Sequence, residues 1–440
     1  MHPAKPFKQR IEGILRERPQ TSSQIPSRLY HPQALFQSRP ASKPAERLNV
    51  RIAILGPYFW PQGYGIEKVM YAHAKYLAAR GHEVHVVTSR LQFPDGINSD
   101  LPAFEAHESF FIRRLNVLWR AAPPFINYPS RGGLILAGLQ RTLRTLRPEV
   151  VHAHNIGAGA WAFGGALYAQ KSKAPFFYSA YHHSGKGKFD GVRKSLSRAL
   201  NYFPLRTASK IYHQTSRDFE TFPADYRYAP IDRFAVLLNG VEPPASSRKR
   251  MEDDSPLNML FVGRVDDVRK GFAVLEASLD ALSDEVRRRF ILTVVGSVSD
   301  LTRSRLESKY GDAMRVRGPI SELDLEQAYA DADVFVMPSL YEGFGMPYIE
   351  AMRYGVPVIG TTAGGVPEVV PAETGLLAPP GNIDELALAI TQLVTEPQLR
   401  LRMGLAGAKW SRRFHWNSII DGLEADYQRS VDCVGLSPSG

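Results

Sequence analysis

Two carboxylates, Glu342 and Glu350, bracket the run Glu342-Gly-Phe-Gly-Met-Pro-Tyr-Ile-Glu350. Carboxylate oxygens accept well from the paired hydroxyls of a sugar or a ribose. Glycine lets the backbone approach a ligand and present its N–H groups, and a helix N-terminus adds positive potential at the same place. Gly343, Gly345 and the backbone of Phe344 and Met346 provide such donors, and Pro347 suits a first helical turn, where its missing N–H costs nothing. The segment follows the apolar run Val334-Phe-Val-Met-Pro338, which reads as a buried strand. Glu342 therefore falls on a loop, and Glu350 is expected in the first turn of a helix that Gly355 stops. A lone Glu would merely favour a helix N-terminus. The nine residues together, between a strand and a helix, point to a site for a hydroxyl-rich ligand at the C-terminal edge of a sheet.

A second constellation is Phe261-Val-Gly-Arg-Val-Asp-Asp-Val-Arg-Lys-Gly-Phe272. Arg264 leaves a strand and Lys270-Gly271 opens a helix, so two cations and a helix N-terminus can neutralise a departing diphosphate. Arg269 reads as part of a surface turn. A third is the Gly63-Tyr64-Gly65 loop, weak evidence when taken alone. The fourth is Tyr178-Ser-Ala-Tyr-His-His-Ser-Gly-Lys-Gly-Lys188, where His182 or His183 ends a strand and can hydrogen-bond a hydroxyl. His183 is favoured for the reacting centre and His182 is an alternative for lining the cleft. His152 and His154 alternate along a strand without metal-ligand company, so they read as structural, or else as lining the cleft, His154 beside His182. Asp331-Ala-Asp333 invites a metal reading, but its place ahead of a buried strand fits an ordinary helix end. No metal is expected.

The elements that must position these residues form two βα series. Val50–Gly56 is a short apolar run, followed by a helical pattern through Ile66, Val69, Met70, His73 and Leu77 and by the strand Glu83–Thr88. Further strands are predicted near 150–154, 176–182, 210–214 and 235–239, with helices near 132–146, 157–170 and 191–203. A linker rich in Pro, Ser and charge follows at 241–256. The second series has strands near 259–263, 290–296, 315–317, 334–338 and 357–360, with helices between them. The expected division is a basic extension over 1–48, a Rossmann-like domain over 49–240, the linker, and a second Rossmann-like domain over 257–414. A helix over 415–430 is expected to pack back on the first domain, with a tail at 431–440. The fold class is α/β, with two doubly wound parallel sheets facing across a cleft.

The 440 residues carry a net charge of +10, which suits an anionic partner. Residues 1–48 hold nine Lys/Arg against three Glu in a segment rich in Pro, Ser and Gln. A solvated tail and an electrostatic tether to an anionic membrane both fit it. Lys186 to Arg206 form a second basic stretch, with Val192, Leu196, Ala199, Leu200 and Phe203 on one helical face and Lys194 and Arg198 opposite. This is a solvated cationic helix face or a surface for an anionic membrane or a lipid-diphosphate acceptor, and Phe110–Arg120 can belong to the same face. The basic residues form no nucleic-acid-binding module. There is one cysteine, Cys433, and no uninterrupted apolar run long enough to span a membrane. A cytoplasmic chain, peripheral at most on the inner face of a membrane, is expected.

The segment Glu342–Glu350 resembles the EX7E signature of retaining GT-B glycosyltransferases, particularly glycosyltransferase family 4. Asp331-Ala-Asp-Val-Phe-Val-Met-Pro-Ser339, Glu350-Ala-Met-Arg-Tyr-Gly-Val-Pro-Val358 and Gly364-Gly-Val-Pro-Glu368 are similar to the surrounding family motifs, and the resemblance runs over about residues 49–427. It implies that Glu350 binds the ribose hydroxyls and that Glu342 with the backbone of Gly343, Phe344, Gly345 and Met346 holds the transferred sugar. Arg264 and Lys270 are implied on the pyrophosphate, Gly63, Tyr64 and Gly65 near the donor phosphates, and Arg317 and Gly318 near the base. It further implies a metal-independent transfer from a nucleotide-sugar to a saccharide or lipid-linked acceptor, with an α-linked product. A sugar-nucleotide epimerase, a phosphorylase and a non-catalytic binding module are the rival readings. The first two fit the joint GR…KG and EX7E pattern poorly, and the third would be expected to have lost Glu342, Arg264 or Lys270.

Overall fold

A computed structural model describes residues 49–61, 65–92, 96–116, 136–156, 159–181, 190–245 and 255–435. The predicted basic extension, most of the 241–256 linker, Gly63, Tyr64, His182 and His183 lie outside these residues. The described residues divide into two compact units: one takes Val241–His415, and the other takes those from Asn49 to Gly240 together with those from Trp416 onward.

The first unit in sequence contains β1 (Arg51–Leu55), β2 (Glu83–Ser89), β3 (Leu91–Gln92), β4 (Gly96–Ile97), β5 (Phe104–His107), β6 (Phe110–Leu115), β7 (Val150–His154), β8 (Phe176–Ser179), β9 (Lys210–His213) and β10 (Phe234–Val236). Eight of these form a sheet ordered β10-β9-β8-β7-β1-β2-β6-β5, and β3 with β4 makes a separate short ribbon. Pairing is parallel throughout the sheet except between β5 and β6. β1 shows why the strands read as unbroken apolar runs: both faces are covered. Ile52 and Ile54 enter one core with Met70, Leu77, Ile420, Leu423 and Tyr427. Ala53 and Leu55 enter the other, with Leu139, Leu143, Trp161 and Ala166. The Trp416–Val434 helix thus supplies part of this unit's core, and it runs past residue 430, the end expected from sequence.

Two surface readings change. β6 places Phe110 and Ile112 in the core, and Arg114, 3% exposed, pairs with Glu105 at 2.7 Å, so Phe110–Leu115 is sheet and not part of a membrane-facing helix face. On the Asp190–Thr207 helix Ala199 is exposed, whereas Asn201, Pro204 and Leu205 are buried. Arg198 does not stand solvated: its Nε donates to the Asp225 carbonyl at 2.7 Å.

The other unit is a six-stranded, all-parallel sheet of β11 (Leu257–Val262), β12 (Phe290–Val295), β13 (Met314–Gly318), β14 (Val334–Val336), β15 (Val358–Thr361) and β16 (Gly375–Ala378). Its order is β13-β12-β11-β14-β15-β16. The winding reverses between β11 and β14, so the loops after these two strands open apart around one crevice, where ligands of such sheets bind. In the eight-stranded sheet the corresponding reversal lies between β1 and β7.

Candidate functional site

The loop after β11 carries Arg264 and Lys270, and the loop after β14 carries Glu342, so the reversal of winding brings the two motifs together. Lys270 Nζ donates to Glu342 Oε2 at 2.8 Å, and Ser339 Oγ lies 3.5 Å from the same oxygen. The Leu340 N–H donates to the Arg269 carbonyl at 2.8 Å, joining the loops through their backbones. Two glycines make this approach feasible. Gly271 has φ +69°, and a Cβ there would lie 1.8 Å from the Pro338 oxygen. Gly364 has φ +53°, and a Cβ there would lie 1.6 Å from the Glu342 oxygen. Both positions need the left-handed conformation and no side chain.

Arg264 does not join that pair. Its Nη2 donates to Asp267 Oδ2 at 2.7 Å, and Arg269 donates to the same carboxylate through Nε at 3.0 Å and Nη2 at 2.7 Å. Asp267 also accepts from the Arg269 N–H, capping the Val268–Lys270 turn. The Arg269 hydrogen bond is the leading cause that holds the Asp267 carboxyl down at about 2, against the smaller upward pull of burial. Asp266 accepts from the Ser299 N–H at 2.7 Å and from the Thr302 hydroxyl at 2.6 Å, fastening the loop to the start of the Asp300–Tyr310 helix. An open depression of about 440 Å³ lies here, lined by Arg264, Asp266, Asp267, Ser297, Val298 and Ser299.

Glu350 is the fifth residue of the Met346–Met352 helix, so it lies beyond the first turn expected for it. The helix begins directly after Gly345, and the expected start at Pro347 was one residue late. The buried Tyr329 donates its hydroxyl to Glu350 Oε2 at 2.7 Å, which fixes the carboxylate's direction. Gly343 and Met346 are half-buried, and Phe344 and Gly345 are buried. Arg317 is exposed near the end of β13, next to Gly318, whose carbonyl accepts from the Gly296 N–H at 2.9 Å. In the other unit Gly65 is the exposed first residue of the Gly65–Ala78 helix. His154 is buried at the end of β7, its Nδ1 3.2 Å from the Tyr181 hydroxyl.

Residues 256–396 match the family described as "Glycosyl transferases group 1", and residues 64–240 match the "Glycosyl transferase 4-like domain". The chain belongs to the group 1 glycosyl transferases. A D-inositol 3-phosphate glycosyltransferase of Thermobifida fusca is 33% identical over 184 residues, covering 39% of this chain and 42% of that protein. The sulfoquinovosyl transferase of Arabidopsis thaliana is 25% identical over 431 residues, covering 92% of this chain and 76% of the relative. The chain spans less than two thirds of the length of each of the first four curated relatives, from 37% to 65%. Among solved structures, a sucrose-phosphate synthase of Thermosynechococcus elongatus gives a TM-score of 0.69 at 22% identity, covering 87% of this chain and all of that one (100%). The Anabaena HepE protein in complex with UDP gives 0.64 at 18%, covering 86% and 100%. These place the two Rossmann-like units in the GT-B fold.

Within this group 1 glycosyl transferase, three contributors escaped the motif reading. Asp267 and Tyr329 hold Arg264 and Glu350 in place, and His73 joins His152 and His154. The signal for Asp267 was an acid flanked by two arginines within three residues. For His73 it was an imidazole on an otherwise apolar helix face.

Proposed function

We propose that the chain transfers a hexosyl group from a nucleotide-sugar to a saccharide or lipid-linked acceptor, with retained configuration and an α-linked product. The setting proposed is synthesis of a cell-envelope polysaccharide or glycolipid at the cytoplasmic face of a membrane. The observation that carries this reading is the Lys270–Glu342 pair, 2.8 Å apart at the point where the sheet's winding reverses. A cation for the diphosphate and a carboxylate for the sugar there stand one hydrogen bond apart, as the junction of a sugar-phosphate bond requires.

In this reading Arg264 and Lys270 neutralise the departing diphosphate. Glu342 and the backbone of Gly343, Phe344, Gly345 and Met346 hold the sugar, and Glu350, aimed by Tyr329, takes the ribose hydroxyls. Arg317 and Gly318 flank the base, Gly63, Tyr64 and Gly65 close on the phosphates, and His183 meets the reacting sugar. The acceptor oxygen bonds to the anomeric carbon on the face the diphosphate leaves, the carbon–phosphate-oxygen bond breaks, and the proton passes to the departing phosphate. The two side-chain cations supply the charge, so no metal is required. The relatives' names support glycosyl transfer to a hydroxyl: one is named for D-inositol 3-phosphate, which bears hydroxyls, and another for transfer of a sulfoquinovosyl group. HepE structures with UDP and UDP-glucose support a nucleoside-diphosphate donor. No helix among the described residues is long and apolar enough to cross a membrane, so the proposed membrane association is peripheral, through the basic extension.

The test is a thermal-shift panel of nucleotides and sugar nucleotides, followed by product analysis with the stabilising donor. A specific ligand at a hundred times its Kd adds about 2.7 kcal/mol of stability. An epimerised donor, or stabilisation without transfer to any acceptor, would replace this reading with one of its rivals. A glycosyl group trapped covalently on Glu342 would overturn the same-face attack.

A further inference from the structure

Three imidazoles lie together in the unit built on the eight-stranded sheet. His73 comes from the Gly65–Ala78 helix, and His152 and His154 stand two residues apart in β7, hence on one face of the strand. His73 and His152 are fully buried and His154 is 1% exposed. Their ring centroids are 5.9 Å apart for His73 and His152, 5.3 Å for His73 and His154, and 4.3 Å for His152 and His154.

Buried ring nitrogens are ordinarily hydrogen-bonded. Among the described residues neither nitrogen of His73 has a partner, and Nε2 of His154 has none. A leucine at position 73 would pack at this depth without leaving polar atoms unmatched. The other three nitrogens are anchored: His154 Nδ1 lies 3.2 Å from the Tyr181 hydroxyl, and His152 has Nδ1 2.5 Å from the Tyr427 hydroxyl and Nε2 2.8 Å from Ser179 Oγ. In His154 one nitrogen is held by an outer hydroxyl and the other is unmatched, which is how metal-binding histidines are set up. All three are buried, and an imidazole binds a metal in its neutral form, through a ring-nitrogen lone pair.

We propose that His73, His152 and His154 form a buried site for one divalent transition-metal ion, with Zn²⁺ the best match to three imidazoles. The absence of a carboxylate from the triad disfavours Mg²⁺ and Ca²⁺. The candidate ligand atoms lie within 4.8 Å of one another, and a tetrahedral ion with bonds of about 2.0–2.1 Å needs them roughly 3.3 Å apart. Closing that gap requires the His73 and His152 rings to turn. His73 has no described hydrogen bond to give up, and His152 Nε2 exchanges its Ser179 Oγ contact at 2.8 Å for the ion. A water completes the fourth position. The ion is structural: it ties the Gly65–Ala78 helix to β7 and, through the Tyr427 hydroxyl, to the Trp416–Val434 helix. It takes no part in the proposed transfer.

The experiment uses the full chain, stripped with a chelator and titrated with Co²⁺ and then Zn²⁺. The expected result is about one ion per chain by elemental analysis, an intense tetrahedral Co²⁺ visible spectrum that Zn²⁺ bleaches, and a Zn²⁺-dependent rise in Tm. His73→Leu and His73→Gln should each lose the spectrum and the rise while retaining the wild-type far-ultraviolet circular dichroism. A wild-type chain that takes up no Co²⁺ with a tetrahedral spectrum overturns the proposal. So does a Zn²⁺ response that survives in both variants. Should a variant fail to fold by circular dichroism, the wild-type spectrum and stoichiometry decide alone.

Discussion

Glu342 is gripped at both ends: its carboxylate accepts from Lys270, and its carbonyl accepts from the Gly365 N–H at 3.3 Å. Glu342→Gln keeps an oxygen for Lys270 and removes only the charge. Steady-state rates should fall by about a hundredfold or more, the scale of losing one electrostatic contact in a transition state. Calorimetric affinity for the nucleoside diphosphate should stay within a few-fold, and a kcat near wild type would remove Glu342 from the chemistry. Asp267 works in the opposite sense, because its carboxylate occupies the Arg264 guanidinium that the diphosphate is proposed to use. Arg264 is 64% exposed, so the pair contributes at most about 1 kcal/mol. Asp267→Asn should therefore tighten diphosphate binding by up to roughly fivefold. A carboxyl lowered from 3.8 to about 2 stabilises the folded loop above the unfolded value and loses that contribution as pH falls through about 2. The gain from Asp267→Asn should accordingly be constant between about pH 5 and 8. Weaker binding in this variant would mean that Asp267 chiefly shapes the loop.

At the scale of elements, the glycines that let loops cross are the points of least tolerance. Gly364→Ala would force a left-handed residue and a Cβ into the Glu342 carbonyl. Denaturant unfolding should show a loss of at least about 2 kcal/mol, with donor binding lost alongside; an unchanged midpoint would contradict the crossing described. Elements were legible where apolar runs are continuous and end in Gly or Pro, as in β1, β11 and β14. β6 was missed because Arg114 takes an inward slot, and its partner Glu105 comes from a neighbouring strand that was itself not foreseen. The Asp190–Thr207 helix was rotated in the sequence reading for a similar reason. Its buried face includes Asn201, which accepts from the Tyr178 hydroxyl at 2.5 Å and donates to the Ile156 carbonyl at 3.0 Å. Apolar periodicity is blind to a satisfied buried amide. The Lys270–Glu342 pair was half visible, as two motifs, but their juxtaposition depends on strand order, which neither motif states. His73 lies far upstream of His152, and only the packing of a helix on β7 unites them.

At the scale of the whole molecule, each sheet has its own core, and the Trp416–Val434 helix belongs to the one encoded first. Tyr427 is 1% exposed and sits among Ile52, Ile54 and Phe177. Tyr427→Ala should destabilise this unit by about 3–5 kcal/mol, and Tyr427→Phe, which keeps the packing, by about 1 kcal/mol. Calorimetry should find the loss in the transition of that unit alone, and a shift in the other transition would contradict the assignment. Chain order gives this packing a consequence in time. During synthesis at about 5–20 residues per second, β1 is made roughly 20–70 s before the helix that covers Ile52 and Ile54. The strands of the unit from Val241 to His415 are consecutive and can close as they emerge. The unit translated first therefore completes its core last, and through that interval one face of its sheet, with only the Gly65–Ala78 helix to cover Ile52 and Ile54, stays partly open to whatever attends the ribosome.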